Sequence, residues 1–166
     1  MISFTYTTYV RATPEQLWQG LTDPDLMKRY WRHQKAGVKS FHSTWKKGDT
    51  YYLAHEEVGL VVRDPEQVIL ESDPGSRLSY TWHSFTPEWA AAVGMDDETA
   101  EEWRAEPRSH VTFDIEEVGT GVTKLTLVHD GFSPDSSVLR GISQGWPAVL
   151  SSLKTLLETG SSLHTS

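Results

Sequence analysis

A chain of 166 residues, 37% hydrophobic and 23% charged, is long enough for one domain with a sizeable core and too apolar to stay disordered. Its formal charge of −8, with no basic stripe to offset it, predicts no nucleic-acid partner. The absence of cysteine excludes disulfides, thiol catalysis and cysteine-ligated zinc. No apolar run approaches the ~20 residues of a membrane span. The first residues lack a basic segment followed by an apolar one, so no signal peptide is predicted and the expected location is cytoplasmic.

In chain order, residues 2–10 are β-branched and aromatic with period two, which predicts a strand with Ile2, Phe4, Tyr6 and Val10 on one face. Thr13-Pro14-Glu15-Gln16 carries a cap, a first-turn proline and a capping box, so a helix starts there, burying Leu17, Trp18 and Leu21. Asp23-Pro24 opens a second short helix with Leu26, Met27, Tyr30 and Trp31 apolar. Strands are then expected over 37–45, 49–56, 58–64, 66–73, 76–85, 108–118 and 121–130. The short turns between them, such as Asp73-Pro74-Gly75 and Gly119-Thr120-Gly121, favour an antiparallel meander.

Residues 86–107 interrupt the meander. They are acidic, and Trp89, Val93, Ala100 and Trp103 recur near a helical period, with Gly94 as a break. One or two short helices are expected, as a surface excursion packed on the sheet or as a lid over a cavity. The last element is a long helix on which Val138, Ile142, Trp146, Val149, Leu150, Leu153, Leu156 and Leu157 form a broad apolar face. Ser133 or Asp135 is its expected cap and Gly160 follows its end. Gly141 and Gly145 predict close approach by another element, and Pro147 a kink or a fresh start.

This order implies an α+β helix-grip domain over residues 1–160, with a helical insertion at 86–107 and a frayed tail at 161–166. A curved antiparallel sheet of about six to seven strands would hold the C-terminal helix, two short helices after the first strand would plug one end, and a cavity would remain on the concave side. Strand alternation turns Leu78, Tyr80 and Trp82 inward, with Val111, Phe113 and Ile115, then Leu125, Leu127 and His129. His83 and His110 fall on the opposite parity and are expected to face outward as cross-strand neighbours.

The sequence resembles the START-like (SRPBCC) superfamily, and within it the bacterial homologues of the chaperone ATPase activator's C-terminal domain. The resemblance rests on Val10-Arg11-Ala12-Thr13-Pro14-Glu15-Gln16-Leu17-Trp18, Leu21-Thr22-Asp23-Pro24, the segment Asp73–Trp82, the segment Thr123–Phe132, and Gly145-Trp146 followed by Leu150, Leu153 and Leu157. It implies the fold; the superfamily's functions range from lipid carriers and polyketide cyclases to co-chaperones.

No phosphate loop, dinucleotide fingerprint or nucleophile elbow occurs, no cofactor is implied, and the seven histidines lack helical metal-site spacing. His129 is the one titratable group expected at the cavity, within reach of Tyr80 or Trp82. The expected ligand-binding residues are Trp45, Tyr80, Trp82, Phe113, Leu127, His129 and Trp146, with Trp45 at the rim. Three functions follow. The first is binding of a hydrophobic or aromatic small molecule without catalysis. The second is a cyclase or dehydratase using His129, with Tyr80 orienting a carbonyl. The third is a chaperone-interacting module contacting its partner through 86–107. A homodimer through the sheet edge or the 86–107 helices fits the same sequence.

Overall fold

The computed structural model describes residues 2–163; His164 and the end of the expected tail lie outside the described residues. Strand β1 (Ile2–Val10) alternates as its period requires, with Phe4 and Tyr6 half-buried on the core side and Val10 fully buried. Helix α1 (Pro14–Thr22) begins with the expected capping box: Thr13 accepts from the Gln16 N–H and Gln16 from the Thr13 N–H. Helix α2 (Pro24–Tyr30) is capped by Asp23 and tied to α1 by the buried Tyr30 hydroxyl, which donates to the Gly20 carbonyl at 2.8 Å.

The meander divides into three sheets. Strands β2 (Arg32–His33) and β3 (Gly37–Val38) form a two-stranded ribbon. Strands β4 (Ser40–Ser43), β5 (Tyr51–His55) and β6 (Leu60–Val62) form a second sheet, with a 3-10 turn at Glu56–Val58. Strands β7 (Ile69–Asp73), β8 (Arg77–Thr81), β9 (His110–Gly119) and β10 (Val122–Phe132) join β1 in an antiparallel five-stranded sheet of order β1-β10-β9-β8-β7. The buried Gln67 amide clasps the two larger sheets. Its Nε2 donates to the Tyr51 and Val62 carbonyls, and its Oε1 accepts from the Ser84 N–H. The expected long strand over 76–85 stops at Thr81, because Trp82 to Phe85 turn away to enter the insertion.

Early strand end corrects the placing of His83. It is 2% exposed rather than outward-facing, because the strand parity that placed it no longer applies after Thr81. His110 pairs across the sheet with Thr81, not His83, and its ring meets Asp130 at 2.7 Å.

The insertion is two helices, α3 (Pro87–Val93) and α4 (Asp97–Ala105), separated by Gly94 in the left-handed region at φ 74°. Helix α5 (Ser137–Thr159) runs through Pro147 as one element and ends at Gly160 with φ 82°. Its cap is Ser136 rather than Ser133 or Asp135. Glu106, at the end of the insertion, accepts from the Ser137 and Val138 N–H groups and holds the same end. Gly141 makes the expected close approach, since a Cβ there would lie 2.7 Å from the Trp103 ring. Gly145 does not: a Cβ there would meet nothing within 4 Å.

One polar tie fixes α5 on the sheet. The Trp146 Nε1–H donates to His129 Nδ1 at 3.0 Å, and His129 Nε2 lies 2.8 Å from Ser109 Oγ. With Nδ1 accepting, the neutral imidazole carries its proton on Nε2 and donates it to Ser109. His129 is 0% exposed, and burial holds its pKa down to about 3.

Two outcomes follow. Trp146→Phe orphans the buried His129 Nδ1 and should lower stability by about 2–4 kcal/mol in urea unfolding. Acid should act before the carboxylates titrate. His33, His42, His55, His83 and His129 all have depressed pKa values in the folded chain, so the unfolded state binds more protons once pH falls below about 6.5. Unfolding free energy should therefore fall steadily from pH 6.5 to 4.5 in buffered urea titrations; a flat profile across that interval would contradict the buried neutral histidines.

Candidate functional site

The concave face of the five-stranded sheet is filled, not hollow. Tyr80, Phe113, Leu127 and His129 are each at most 3% exposed. Tyr80 packs among Phe41, Tyr51, Trp82 and Phe113, with ring centroids 5.3–6.4 Å away. Trp45 holds a left-handed backbone at φ 61° and sets its ring edge-on to Tyr80 at 6.1 Å. Tyr80, Phe113, Leu127 and His129 stand together as core, and the half-buried Trp45 packs against them. Trp82 and Trp146, 5.4 Å apart, are the two that border open space.

That space lies further along α5, between its first half and the insertion. The larger lobe is about 390 Å³. Its floor is Ile142, Gly145, Trp146 and Val149 of α5; its walls are Trp31 and His33, the Trp82–Phe85 turn, and Trp89, Val93 and Trp103 of the insertion. A smaller lobe of about 250 Å³ shares Trp31, His33, Lys39, Trp89, Val93, Gly145 and Val149 and adds His55. Sequence dictates the opening locally. Gly145 puts no side chain where the helix faces the insertion, and Gly141 lets Trp103 seat one turn earlier. The insertion thus forms a wall of the cavity.

Lys39, between β3 and β4, borders both lobes. Its Nζ lies 5.1 Å from the Trp31 ring centroid, 5.5 Å from Phe41 and 5.2 Å from Trp82. Among the described residues no carboxylate or hydrogen-bond acceptor meets this amine. Burial pushes its pKa down to about 7. Three imidazoles share the surroundings, and all are held neutral by burial, with the nearby Lys39 charge lowering them further. His33 is depressed, His55 is lowered to about 4, and His83 lies well below its ordinary value. His55 Nδ1 lies 3.1 Å from the Val38 carbonyl and donates to it, while its Nε2 is buried without a partner. Trp89 Nε1 is likewise buried and unpartnered.

A second cleft, of about 450 Å³, lies on the other side of the Trp82–Phe85 turn. Its charges satisfy one another. Arg108 donates to the Trp82 carbonyl and Ser84 Oγ and pairs with Asp64, and Arg104 donates to the Phe85 carbonyl. A cleft whose polar groups are already paired is structural; the lobe holding an unpaired amine is the stronger candidate site.

Lys39 and Gly145 were not legible as site residues in the sequence. Lys39 sits on a strand-like segment where a lysine reads as an outward charge, and only the convergence of Trp31, Phe41 and Trp82 from three elements encloses it. Gly145 reads in the sequence as a point of close packing rather than as an opening.

Three solved structures bear on the fold. A protein from Mesorhizobium loti is 25% identical with a TM-score of 0.66, the match covering 94% of this chain and 96% of that one. An HSP90 activator from Plasmodium falciparum is 19% identical with a TM-score of 0.63, over 95% and 96% of the two chains. The Aha1 of Colwellia psychrerythraea, described as a dimer in solution, is 20% identical with a TM-score of 0.58, over 96% and 98%. No curated protein matches by sequence. The model of the family described as "Activator of Hsp90 ATPase homolog 1-like protein" matches residues 11–158, and the chain belongs to that family.

Proposed function

We propose that this protein binds a hydrophobic or aromatic small molecule in the cavity between α5 and the insertion, without transforming it. The observation that carries this reading is an opening of about 390 Å³ walled by tryptophans around an amine with no partner among the described residues. Cavities of a few hundred Å³ with apolar walls and few polar groups suit drug-sized ligands. His129, the acid–base candidate, has both ring nitrogens engaged and borders neither lobe. A group so committed has no lone pair or proton to offer a substrate without breaking the tie to Trp146, which favours binding over a cyclase or dehydratase.

Gly145→Leu tests the reading. A leucine side chain would enter the open space, so affinity for any cavity ligand should fall by about tenfold or more. Helix stability should hold or rise by up to about 1 kcal/mol, because glycine is a poor helix residue. The measurement is a thermal-shift and native mass spectrometry panel of aromatic and lipid compounds on both proteins. Ligands that bind the variant as well as the parent would place binding elsewhere.

The family assignment favours a second reading, docking to a chaperone. The exposed acidic face of α4, with Glu98, Glu101 and Glu102, is the proposed contact. Pull-down with the cognate chaperone should be lost when all three become glutamine; undiminished capture would remove α4 as the contact.

A further inference from the structure

The unpaired amine narrows the chemistry of the ligand, and this step rests on the binding reading above. We propose that the cavity takes a planar aromatic acid, its carboxylate on Lys39 Nζ and its ring system against the tryptophan wall. Buried charges in proteins are paired, hydrogen-bonded or neutralised. Lys39 has only the faces of Trp31, Phe41 and Trp82, which attract a cation without accepting its N–H groups.

Among the described residues no group supplies the missing negative charge. His33 on β2, His55 on β5 and His83 after β8 face the same region as neutral imidazoles. Arg32 on β2 is committed to Glu57 at 3.1 Å. Asp96 is the one acidic residue on the lining, and its carboxylate accepts from the Thr99 N–H to cap α4. A pocket with a spare cationic donor and aromatic faces is complementary to an anionic oxygen pair on a flat apolar body. A neutral greasy ligand would leave the amine unpaired.

Two matched probes test this: 2-naphthoate and the neutral 2-naphthalenemethanol, titrated by calorimetry into the parent and Lys39→Met proteins at pH 6.5 and 8. The parent should bind the acid about tenfold or more tightly than the alcohol, and Lys39→Met should lose that margin while keeping the alcohol within about threefold. Naphthoate binding at pH 8 should also take up a proton in the parent and not in the variant, read from buffers of different ionisation heat, because the anion restores the ammonium form. Unfolding of Lys39→Met at pH 6.5 should be no easier than that of the parent, which separates lost affinity from lost fold. Equal affinity for both probes, untouched by Lys39→Met, would overturn the aromatic-acid assignment and leave the pocket standing. If neither probe nor any panel compound bound the parent, the binding reading would fall and this one with it.

Discussion

Trp146 has to be both buried and hydrogen-bonded, and the architecture follows from that requirement. Its indole packs between Trp31, Trp82 and Phe113, with ring centroids 5.4–5.8 Å away, while its N–H reaches a histidine on β10, the strand beside the sheet edge. An indole donor taken from water costs free energy unless an acceptor meets it. His129 supplies the acceptor only as a neutral imidazole; the indole donor thereby fixes the tautomer, and the Nε2 proton goes to Ser109 on the other side. The position of α5 along the sheet is set by this chain of bonds.

With α5 held there, Gly145 falls one residue before the anchor and opposite the insertion. The insertion is itself pinned, through Trp103 against Gly141 and through Glu106 on the start of α5. The gap between two fixed walls cannot collapse by moving either. Into it comes the half-buried Lys39, its amine beside three aromatic rings and its pKa pushed down to about 7 by desolvation. The cavity and the perturbed amine are thus consequences of one packing arrangement.

Much of the fold was written in local chemistry. The capping box at Thr13, the period-two strands β1, β9 and β10 and the long apolar stripe of α5 each answer to neighbours a few residues away, so spacing reveals them. The inward set Val111, Phe113, Ile115, Leu125, Leu127 and His129 follows from alternation and is buried in the structure. His83 escaped because alternation holds only while the strand lasts, and Thr81 ends it. The site escaped more fully. Tyr80, Phe113 and Leu127 were expected to line a hollow, but with Phe41, Tyr51 and Trp82 they fill the concave face. The open space moved to the insertion, whose placement depends on contacts more than thirty residues apart, such as the 3.0 Å bond from Trp103 Nε1–H to Ser137 Oγ.

The proposed ligand site depends on the state of one amine. Titration of the Lys39 ε-methylene carbon by NMR, with Lys39→Met for assignment, reads it directly. A midpoint near 7 would match an ammonium stripped of water and left without a carboxylate among three aromatic rings. A midpoint near the ordinary lysine value of about 10.4 would mean that the amine lies in water, and would contradict a desolvated aromatic site around it.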